Sequence, residues 1–467
     1  MKISFHGASR MVTGSKHLLH INPNKKILLD CGMFQGMGKD TLSLNSDWGF
    51  DPREIDHLIL SHAHIDHIGL VPKLVKDGYK GKIYCTPATA SLAKLLLIDS
   101  AGIQEADIKY VNKQRAKQGR PFIEPLYTRE DAENVFSLFE TAAYGDHYKL
   151  DKDTELMFTD CGHIIGSAAV HLRIKENGRV TQLSFSGDVG RYSDMILRSP
   201  QTFPQADYII LESTYGDKLH DVERTATDKL LENIVKTCVE RKGKLIIPAF
   251  SLGRTQEILF MLNQLEEEKR LPAVRYFVDS PLSVKITEAV KKYPDYYNAF
   301  AQNLLKKDKD IFNFSGLTFV QSVEESMSLN DMTSPCVIIS SSGMAEAGRV
   351  RHHIAHNVED KRNMIMLTGY CEPRSLGGRL KTRPPEVGIF GKKYRVNAEV
   401  TEISSLSAHG DYEDLCQWLA CQDPKKVKKL FLVHGEYDVQ NIFRDKLVRK
   451  GFSEVEIPAL HEVVGLG

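Results

Sequence analysis

The chain contains the stretch Ser61-His62-Ala63-His64-Ile65-Asp66-His67, directly after the apolar run HLIL at 57–60. A buried histidine needs partners for both ring nitrogens, and a short loop offers few for so many polar groups. Imidazole nitrogens and carboxylate oxygens are typical zinc ligands, and catalytic zinc sites keep one position for water. The stretch therefore predicts a metal site at the end of a strand. His62 and His64 are spaced to bind one ion, and Asp66 and His67 are predicted to face a second.

Two downstream turns supply side chains of the same kind. His163 lies in CGHIIG at 161–166, between two predicted strands, and Asp188 lies in SGDVG, just past a strand end. Either residue alone is more typical of a local hydrogen-bonding turn. Beside the first cluster, both are predicted to be the missing ligands. Asp30, at the end of KILLD, either caps the next turn or orients a ligand histidine.

Two isolated histidines near the C-terminus share one construction. His409 in LSAHGD and His434 in LVHGE each follow an apolar run. One such residue is as easily a satisfied loop histidine as a functional one. Two of them, more than two hundred residues beyond the first cluster, predict that the chain returns to the metal site.

Length and composition restrict the class of protein. With 467 residues the chain exceeds one compact core, so we expect two domains. The formal net charge of +0 excludes a protein that binds polyphosphate through bulk positive charge, but not a local basic cleft. No apolar run approaches the about 20 residues that cross a bilayer, and no signal peptide is expected at the N-terminus. Eight dispersed cysteines without a CxxC pair indicate reduced thiols and a cytoplasmic location.

The predicted elements change in rhythm along the chain. Up to about residue 208 they are short strands, interrupted by the successive helical stretches TASLAKLLLIDSAG and EADIKYVNKQRAKQG and by a third that begins at the cap Thr128. Strands then alternate with helices, as in KLIIPAF before GRTQEILFMLNQLEEEKR, which is typical of a parallel sheet flanked by helices. From about 396 the chain returns to short strands that end in histidine. The fold class is therefore α/β.

These residues together resemble the metallo-β-lactamase superfamily. The order is Asp30, HxHxDH at 62–67, His163 and Asp188. Glu212 in LESTYGD, and the two C-terminal histidine segments SLSAHGD and LVHGE, resemble motifs A, B and C of its β-CASP branch. That branch contains RNA-processing nucleases, among them the nuclease subunit of the pre-mRNA 3′-end cleavage complex and stand-alone prokaryotic RNases.

The resemblance covers nearly the whole chain. The further segments that carry it are VTGS at 12–15, FQG at 34–36, PAFSLGRTQE at 248–257, VDSPL at 278–282 and SSGMAEAGRVRHH at 341–353. It implies a four-layer αββα metallo-β-lactamase sandwich with an inserted strand–helix β-CASP domain. The sandwich would comprise residues 1–208 and the return segment 396–467, and the inserted domain residues 209–395. No KH-type RNA-binding extension is expected before residue 1.

The resemblance also implies a cofactor and a reaction. The cofactor is a pair of Zn²⁺ ions, with Mn²⁺ as the alternative. The ligands that it assigns are His62, His64 and His163 for one ion, Asp66, His67 and His434 for the other, and Asp188 as the bridge. The reaction is two-metal hydroxide attack on the phosphodiester bonds of single-stranded RNA, in RNA processing or decay, by endonucleolytic or 5′ exonucleolytic cleavage.

The protein residues that the resemblance makes catalytic are His409, Glu212, Asp66 and Asp30. Among these, His409 oriented by Glu212 would be the general acid for the leaving 3′ oxygen.

Substrate contacts are predicted mainly from arginines, because arginine binds phosphate in a bidentate manner. The predicted contacts are Arg254, Arg349, Arg351, Arg379 and Arg383, together with the hydroxyl of Ser375. Each arginine is equally well explained as a salt-bridged surface residue. The segment CEPRSLGGRL at 371–380 departs from the family, whose members more often carry a Gly-Thr-Leu-Gly-Arg-like run there.

Three other functions stay open at this level. They are a small-molecule hydrolase for thioesters, lactones or β-lactams, a DNA nuclease, and a catalytically silent scaffold. The inserted domain argues against a small substrate, and a full ligand set argues against a silent scaffold. By resemblance, His434 at motif C favours RNA over DNA. We expect no membrane partner, and the sequence leaves open whether the chain forms a homodimer.

Overall fold

The computed structural model describes residues 1–176, 178–220, 226–369, 371–403 and 406–467. The chain divides into two compact units, the first from Met1–Leu219 and His409–Gly467, the second from His220–Ala408. The chain thus leaves the first unit and returns to it near the C-terminus. These limits fall somewhat further along the chain than the domain limits at 208/209 and 395/396, which stay a prediction.

The first sheet of the first unit has seven strands. They are β1 (Lys2–Gly7), β2 (Lys16–Asn22), β3 (Lys25–Leu29), β4 (His57–Ile59), β5 (Lys82–Cys85), β6 (Phe139–Thr141) and β22 (Val463–Gly465). β1 pairs antiparallel with β2 and β22, and β2 with β3, whereas β3 to β6 are parallel neighbours. The parallel arrangement places the carboxyl ends of β3 and β4 side by side.

The second sheet also has seven strands. They are β7 (Tyr148–Lys149), β8 (Thr154–Asp160), β9 (Ala168–Glu176), β10 (Arg179–Phe185), β11 (Tyr208–Glu212), β20 (Lys429–Val433) and β21 (Val455–Glu456). β9 runs against β8 and β10, and β10, β11 and β20 are parallel. β8, β10, β11 and β20 therefore end at the same edge of the sheet.

The first unit also contains seven α-helices among its described residues. They are α1 (Thr41–Ser46), α2 (Ile65–Ile68), α3 (Val71–Lys76), α4 (Pro87–Lys117), α5 (Arg129–Asn134), α13 (Tyr412–Leu419) and α14 (Tyr437–Arg449). The predicted cap Thr128 begins α5 with a capping box. The two successive stretches predicted before it are helical, but they form one continuous helix of 31 residues, α4, rather than two.

The core of the first unit lies between the two sheets. Apolar side chains of both sheets, such as Phe5 and Phe185, form one buried cluster. A second cluster packs Trp418 of α13 and Phe443 of α14 onto the other face of the second sheet. α3 and α4 bury apolar side chains on the side of the first sheet, where α4 lies beside β6. The predicted αββα sandwich is confirmed.

The second unit contains a parallel sheet of six strands. They are β12 (Lys244–Pro248), β13 (Arg275–Val278), β14 (Leu317–Phe319), β15 (Cys336–Ser340), β16 (Met364–Leu367) and β19 (Glu399–Glu402), with a separate hairpin of β17 (Glu386–Ile389) and β18 (Lys392–Arg395). Its helices are α6 (Ala226–Ile234), α7 (Arg254–Glu267), α8 (Pro281–Val290), α9 (Ala299–Leu305), α10 (Val323–Asp331), α11 (Val350–Asn357) and α12 (Leu376–Lys381). The predicted strand–helix alternation is confirmed.

Within the described ranges, no helix is both long enough and apolar enough to cross a membrane.

Candidate metal centre

The predicted ligands follow the carboxyl ends of neighbouring strands. The loop at 61–67 follows β4. In the second sheet, His163 follows β8, Asp188 follows β10 and His434 follows β20. Because these strands end at one edge, residues far apart in sequence come together there. All of the predicted ligands belong to the first unit.

The loop after β4 turns its four polar side chains toward that edge. His64 has extended backbone and precedes α2, whereas Asp66 and His67 lie inside this four-residue helix. The backbone changes from extended to helical within this loop, which alters the direction of successive side chains. The polar side chains of H-x-H-x-D-H therefore point into one small volume. The side chains of His62 and His67 are almost completely buried.

Four donor groups surround one point. The donor atoms of His62, His64, His163 and Asp188 all lie within 4.8 Å of one another. His64 Nδ1 lies 3.1 Å from Nε2 of both His62 and His163. Asp188 Oδ2 lies 3.4 Å from His62 Nε2 and 3.5 Å from His163 Nε2. Three imidazole nitrogens and one carboxylate oxygen form a donor set suited to zinc.

A second group shares Asp188 with the first. His434 Nε2 lies 3.3 Å from both Asp66 Oδ2 and His67 Nε2. Asp188 Oδ2 is 3.3 Å from His67 Nε2, and its Oδ1 is 3.7 Å from His434 Nδ1. Asp188 therefore contacts both groups, which is the placement that a bridging ligand requires.

The position of His434 depends on a strained backbone. Its φ is 50°, in the left-handed region that most side chains avoid. Its backbone N–H donates to the carbonyl of Ala8 (2.7 Å), and the hydroxyl of Thr214 lies 3.1 Å from its Nδ1. These contacts hold the imidazole against the loop that follows β4.

The protonation of the cluster favours a bound cation. Burial lowers the pKa of His64 to about 4, so that this imidazole is neutral and can act as a ligand. Burial alone would raise the pKa of Asp66, but His67 and His434 hold it at about 2. Burial disfavours a charged His67, yet the carboxylates of Asp188 and Asp30 raise its pKa well above the usual range. The buried carboxylates thus demand a positive charge, which a divalent cation can supply in place of that proton.

Asp30 supports the cluster from behind. Its carboxylate accepts hydrogen bonds from the backbone N–H and hydroxyl of Ser61 (2.8 and 2.9 Å) and from the hydroxyl of Ser15 (3.2 Å). It also lies 2.7 Å from Nδ1 of His67. This contact orients the ring so that Nε2 faces the ligand group. Of the two readings of Asp30 in the sequence, the geometry favours the one that orients a histidine.

His409 and Glu212 form a pair beside the ligands. His409 Nδ1 lies 3.0 Å from Glu212 Oε1, and its Nε2 lies 4.0 Å from Asp188 Oδ2. Glu212 is fully buried, and its carboxylate also accepts from the backbone N–H of Val189 (2.7 Å). Burial lowers the pKa of His409, but Glu212 and Asp188 outweigh it and raise the pKa to about 9. The buried Glu212 carboxylate therefore favours the protonated form of the His409 imidazole.

Three residues that the sequence pattern did not distinguish also build the centre. Ser15 and Ser61 hold Asp30, as described above. Lys16 is fully buried, and its ammonium donates to the carbonyls of Gly14 (3.0 Å) and Gly32 (2.8 Å). Ser15 in VTGS and Ser61 at the start of the histidine stretch both stand in sequence segments described above, whereas a lysine at the start of a strand normally indicates a solvent-facing position.

The predicted substrate contacts lie in the second unit, and two of the arginines have partners there. Arg254 is buried and forms an ion pair with Glu257. Arg349 lies 2.6 Å from the buried carboxylate of Asp279 and donates to the carbonyl of Gln321 (2.7 Å). Both arrangements are the salt-bridged alternative that the sequence left open. Their phosphate contacts stay a prediction.

The remaining predicted contacts are more accessible or cap a helix. The Ser375 hydroxyl caps α12 by accepting from the backbone N–H of Gly378 (3.0 Å). Arg379 is exposed and donates to the carbonyl of Gly388 (3.3 Å). Arg351 lies over the ring of Phe390, and Arg383 is exposed. Their substrate roles stay predictions.

Comparison with protein families gives three matches along the chain. Residues 17–148 match the family described as the metallo-beta-lactamase superfamily. Residues 255–380 match the Beta-Casp domain. Residues 393–458 match the Zn-dependent metallo-hydrolase RNA specificity domain.

Several characterised proteins are similar over most of the chain. Ribonuclease TTHA0252 of Thermus thermophilus is 35% identical over 93% of this chain and 93% of its own length. Transcription termination factor FttA of Methanosarcina mazei is 31% identical over 93% of this chain and 67% of its own length. An RNase J-like protein of Methanocaldococcus jannaschii is 29% identical over 93% of this chain and 92% of its own length. Together with the two-unit fold and the clustered histidines and aspartates, this similarity shows that the chain belongs to the β-CASP branch of the metallo-β-lactamase superfamily.

Proposed function

We propose that this protein is a metal-dependent ribonuclease that hydrolyses phosphodiester bonds of single-stranded RNA. The observation that carries the proposal is the placement of Asp188, which contacts both ligand groups and lies 4.0 Å from His409. Two adjoining cation sites beside a protonated histidine suit a substrate that carries negative charge. The names of the relatives, two of which are ribonucleases, support RNA as that substrate.

The donor sets support zinc as the cofactor, with manganese as the alternative ion. The group rich in imidazole, His62, His64 and His163, suits zinc more than magnesium or calcium. Asp66, His67 and His434 would hold a second ion, and Asp188 would be shared. When bound, such a pair of ions lowers the pKa of water and offsets the charge on the attacked phosphate.

The protein's own groups then perform the proton transfer and hold the geometry. His409, kept protonated by Glu212, gives its proton to the leaving 3′ oxygen. Asp66 contributes its charged carboxylate to the second group. Asp30 fixes the ring of His67 and thereby the direction of the nitrogen that faces the cation.

We further propose that the second unit contributes phosphate contacts. Arg379 and Arg383 are stronger than the buried members of the predicted set, because both side chains are exposed and the guanidinium of Arg379 has only carbonyl partners among the described residues. Arg254, Arg349 and Ser375 are weaker, since each has a partner within its own unit. All eight cysteines are free thiols, which supports a cytoplasmic location. We place the reaction in RNA processing or decay.

The experiment that tests the function compares substrates on one preparation. Purified protein of measured zinc and manganese content is incubated with labelled single-stranded RNA, single-stranded DNA, a thioester and nitrocefin. We expect hydrolysis of RNA in preference to the others, and loss of it in His62→Ala. Faster turnover of DNA or of a small ester by the wild type would instead assign one of the rival activities.

The mode of cleavage needs a second comparison. RNAs of one sequence with a 5′-triphosphate, a 5′-monophosphate or a circular backbone separate attack inside the strand from attack at its end. Cleavage of the circle indicates an endonuclease, and dependence on the 5′-monophosphate indicates a 5′ exonuclease. Light scattering of the same sample tests whether the protein is a monomer or a homodimer.

A further inference from the structure

The second half of helix α4 projects away from the body of the first unit. Buried residues of α4 end at Ala101, and the remaining sixteen, 102–117, are partly or fully exposed. The helix begins beside the metal centre, because the Thr86 hydroxyl donates to the carbonyl of Gly166 (2.7 Å) in the turn that carries His163. At about 1.5 Å per residue, its 31 residues reach about 46 Å from that turn.

The far end of the projection is ordered by its own hydrogen bonds. The Asn112 amide donates to the carbonyl of Ile123 (2.8 Å) and accepts from its backbone N–H (3.0 Å). Arg115 donates to the carbonyl of Pro121 (2.5 Å). The chain after α4 therefore folds back along the helix. We call residues 109–122 the basic tip.

The basic tip carries a local excess of positive charge. Its sequence contains Lys109, Lys113, Arg115, Lys117 and Arg120 and no acidic residue, in a chain whose net charge is +0. None of these five side chains forms an ion pair with a carboxylate in the described part of the chain. Three carboxylates flank the tip, at Glu105, Asp107 and Glu124, and the excess of positive charge over them is left for a partner or for counterions.

Two aromatic rings are exposed among these charges. Tyr110 is 66% exposed and Phe122 is 71% exposed. Burying such rings normally contributes substantially to stability, so their exposure marks a surface available for contact. Exposed aromatic rings interleaved with arginine and lysine are the combination that binds single-stranded nucleic acid, by stacking on bases and by pairing with phosphates.

We infer that the basic tip is a second RNA-binding surface, which holds the single strand away from the metal centre. The inference rests on the proposed ribonuclease function. The five cations of the tip outnumber the three flanking carboxylates of Glu105, Asp107 and Glu124, which favours a polyanion over an apolar protein partner. Exposed aromatic rings favour unpaired bases over a duplex. A strand that occupies both surfaces spans about 46 Å, or about 14 nucleotides if stacked at about 3.4 Å each.

The test compares RNA lengths and two matched triple variants. The tip variant is Lys109→Ser, Lys113→Ser and Lys117→Ser. The control is Lys306→Ser, Lys307→Ser and Lys309→Ser, which removes three exposed lysines from the second unit. The substrates are RNAs of about 4 and about 40 nucleotides, of which only the longer can reach both surfaces.

We expect kcat/KM on the long RNA, relative to the short one, to fall about tenfold in the tip variant and to stay unchanged in the control. The slope of log affinity against log salt should decrease by about 2, since each lost phosphate contact on a single strand contributes about 0.7. A second variant, Tyr110→Ala with Phe122→Ala, should weaken binding of long RNA about tenfold for each stacked base. Far-UV circular dichroism verifies that the variants are folded.

Three results would overturn the inference. One is an equal loss on short and long RNA, and another is an unchanged length ratio in both tip variants. The third is a lower molar mass of the tip variant than of the wild type in light scattering, which would show that the tip mediates self-association. If the wild type hydrolyses no RNA, the proposed function fails, whereas filter binding of the same RNAs still tests the tip by itself.

Discussion

The imidazole Nδ1 of His409 lies 3.0 Å from a carboxylate oxygen of Glu212, a residue 197 positions earlier in the chain. The carboxylate is fully buried and also accepts a hydrogen bond from the backbone N–H of Val189, beside Asp188. The pair is thus fixed to the backbone that carries the shared ligand. The proposed proton donor and the shared ligand are thus linked through one carboxylate.

Replacement of Glu212 by glutamine tests this pair. Burial lowers the pKa of His409 and the Glu212 carboxylate raises it, so the charge of Glu212 favours the acidic form of the imidazole. Glu212→Gln removes the charge that raises the pKa, so the alkaline limb should move to lower pH and kcat should fall about 10²-fold. The pH–rate profile and the metal content are measured together. An unmoved alkaline limb with full metal content would exclude His409 as the acid.

Asp30→Asn tests the support behind His67. The neutral amide can still bond Ser61 but no longer holds His67 with a charge, so metal affinity should fall about 10- to 100-fold. Competition with a chromogenic chelator measures that affinity. Ser15→Ala, which removes only the 3.2 Å bond to Asp30, serves as the milder control. Equal affinities in Asp30→Asn and the wild type would show that this carboxylate does not orient the ligand.

His434→Ala tests whether the two ligand groups hold separate ions. His434 belongs to the group with Asp66 and His67, and its donor atoms also lie close to those of Asp188 and His409, but it is not part of the group around His64 and His163. We expect elemental analysis to find about one metal ion fewer per chain than in the wild type, with one ion retained by the intact group. His409→Ala should keep both ions and lose turnover. Retention of both ions in His434→Ala would remove this residue from the ligand set.

Lys16 gives a prediction about stability rather than turnover. Burial lowers the pKa of its ammonium to about 7, so between about pH 7 and 10 the unfolded state binds more protons than the native state. The contribution of Lys16 to the free energy of unfolding therefore rises with pH over that window, by up to about 1.4 kcal/mol per pH unit.

Lys16→Met should flatten this dependence. Urea unfolding of wild type and variant at several pH values gives the difference. The other buried cysteines titrate in both proteins and cancel, whereas Cys31 does not, because burial raises the pKa of its thiol and the Lys16 ammonium lowers it. If the free energies of unfolding of wild type and variant change equally with pH from pH 7 to 10, the ammonium of Lys16 does not have a lowered pKa.

Arg254 and Arg379 separate a structural arginine from a substrate contact. Arg254 is buried against Glu257, so Arg254→Ala should destabilise the protein by about 3 kcal/mol. Arg379 is exposed, so Arg379→Ala should change stability by less than about 0.5 kcal/mol. If Arg379 contacts one phosphate, the slope of log RNA affinity against log salt should be smaller by about 0.7 in Arg379→Ala than in the wild type. A stable Arg379→Ala protein with an unchanged slope would remove Arg379 from the substrate contacts.

The sequence by itself determined the family, the α/β class and the set of residues from which the centre is drawn. It could do so because H-x-H-x-D-H and the turns around His163 and Asp188 place unusual side chains directly after apolar strands. Periodicity also identified the strand–helix alternation of the second unit. Periodicity did not predict that α4 is one helix, because the polar second half of α4 resembles a separate helix although the helical backbone continues without a break.

Only the tertiary structure decided which of these side chains meet. The strand directions of the second sheet place His163, Asp188 and His434 at one edge, and sequence separation carries no information about that edge. The structure also showed that Lys16 is buried and that Arg254 pairs within its own unit, because burial depends on neighbours distant in the chain. The physical reason is that the local sequence pattern shows which chemical groups a segment carries, whereas tertiary packing determines which of these groups come into contact.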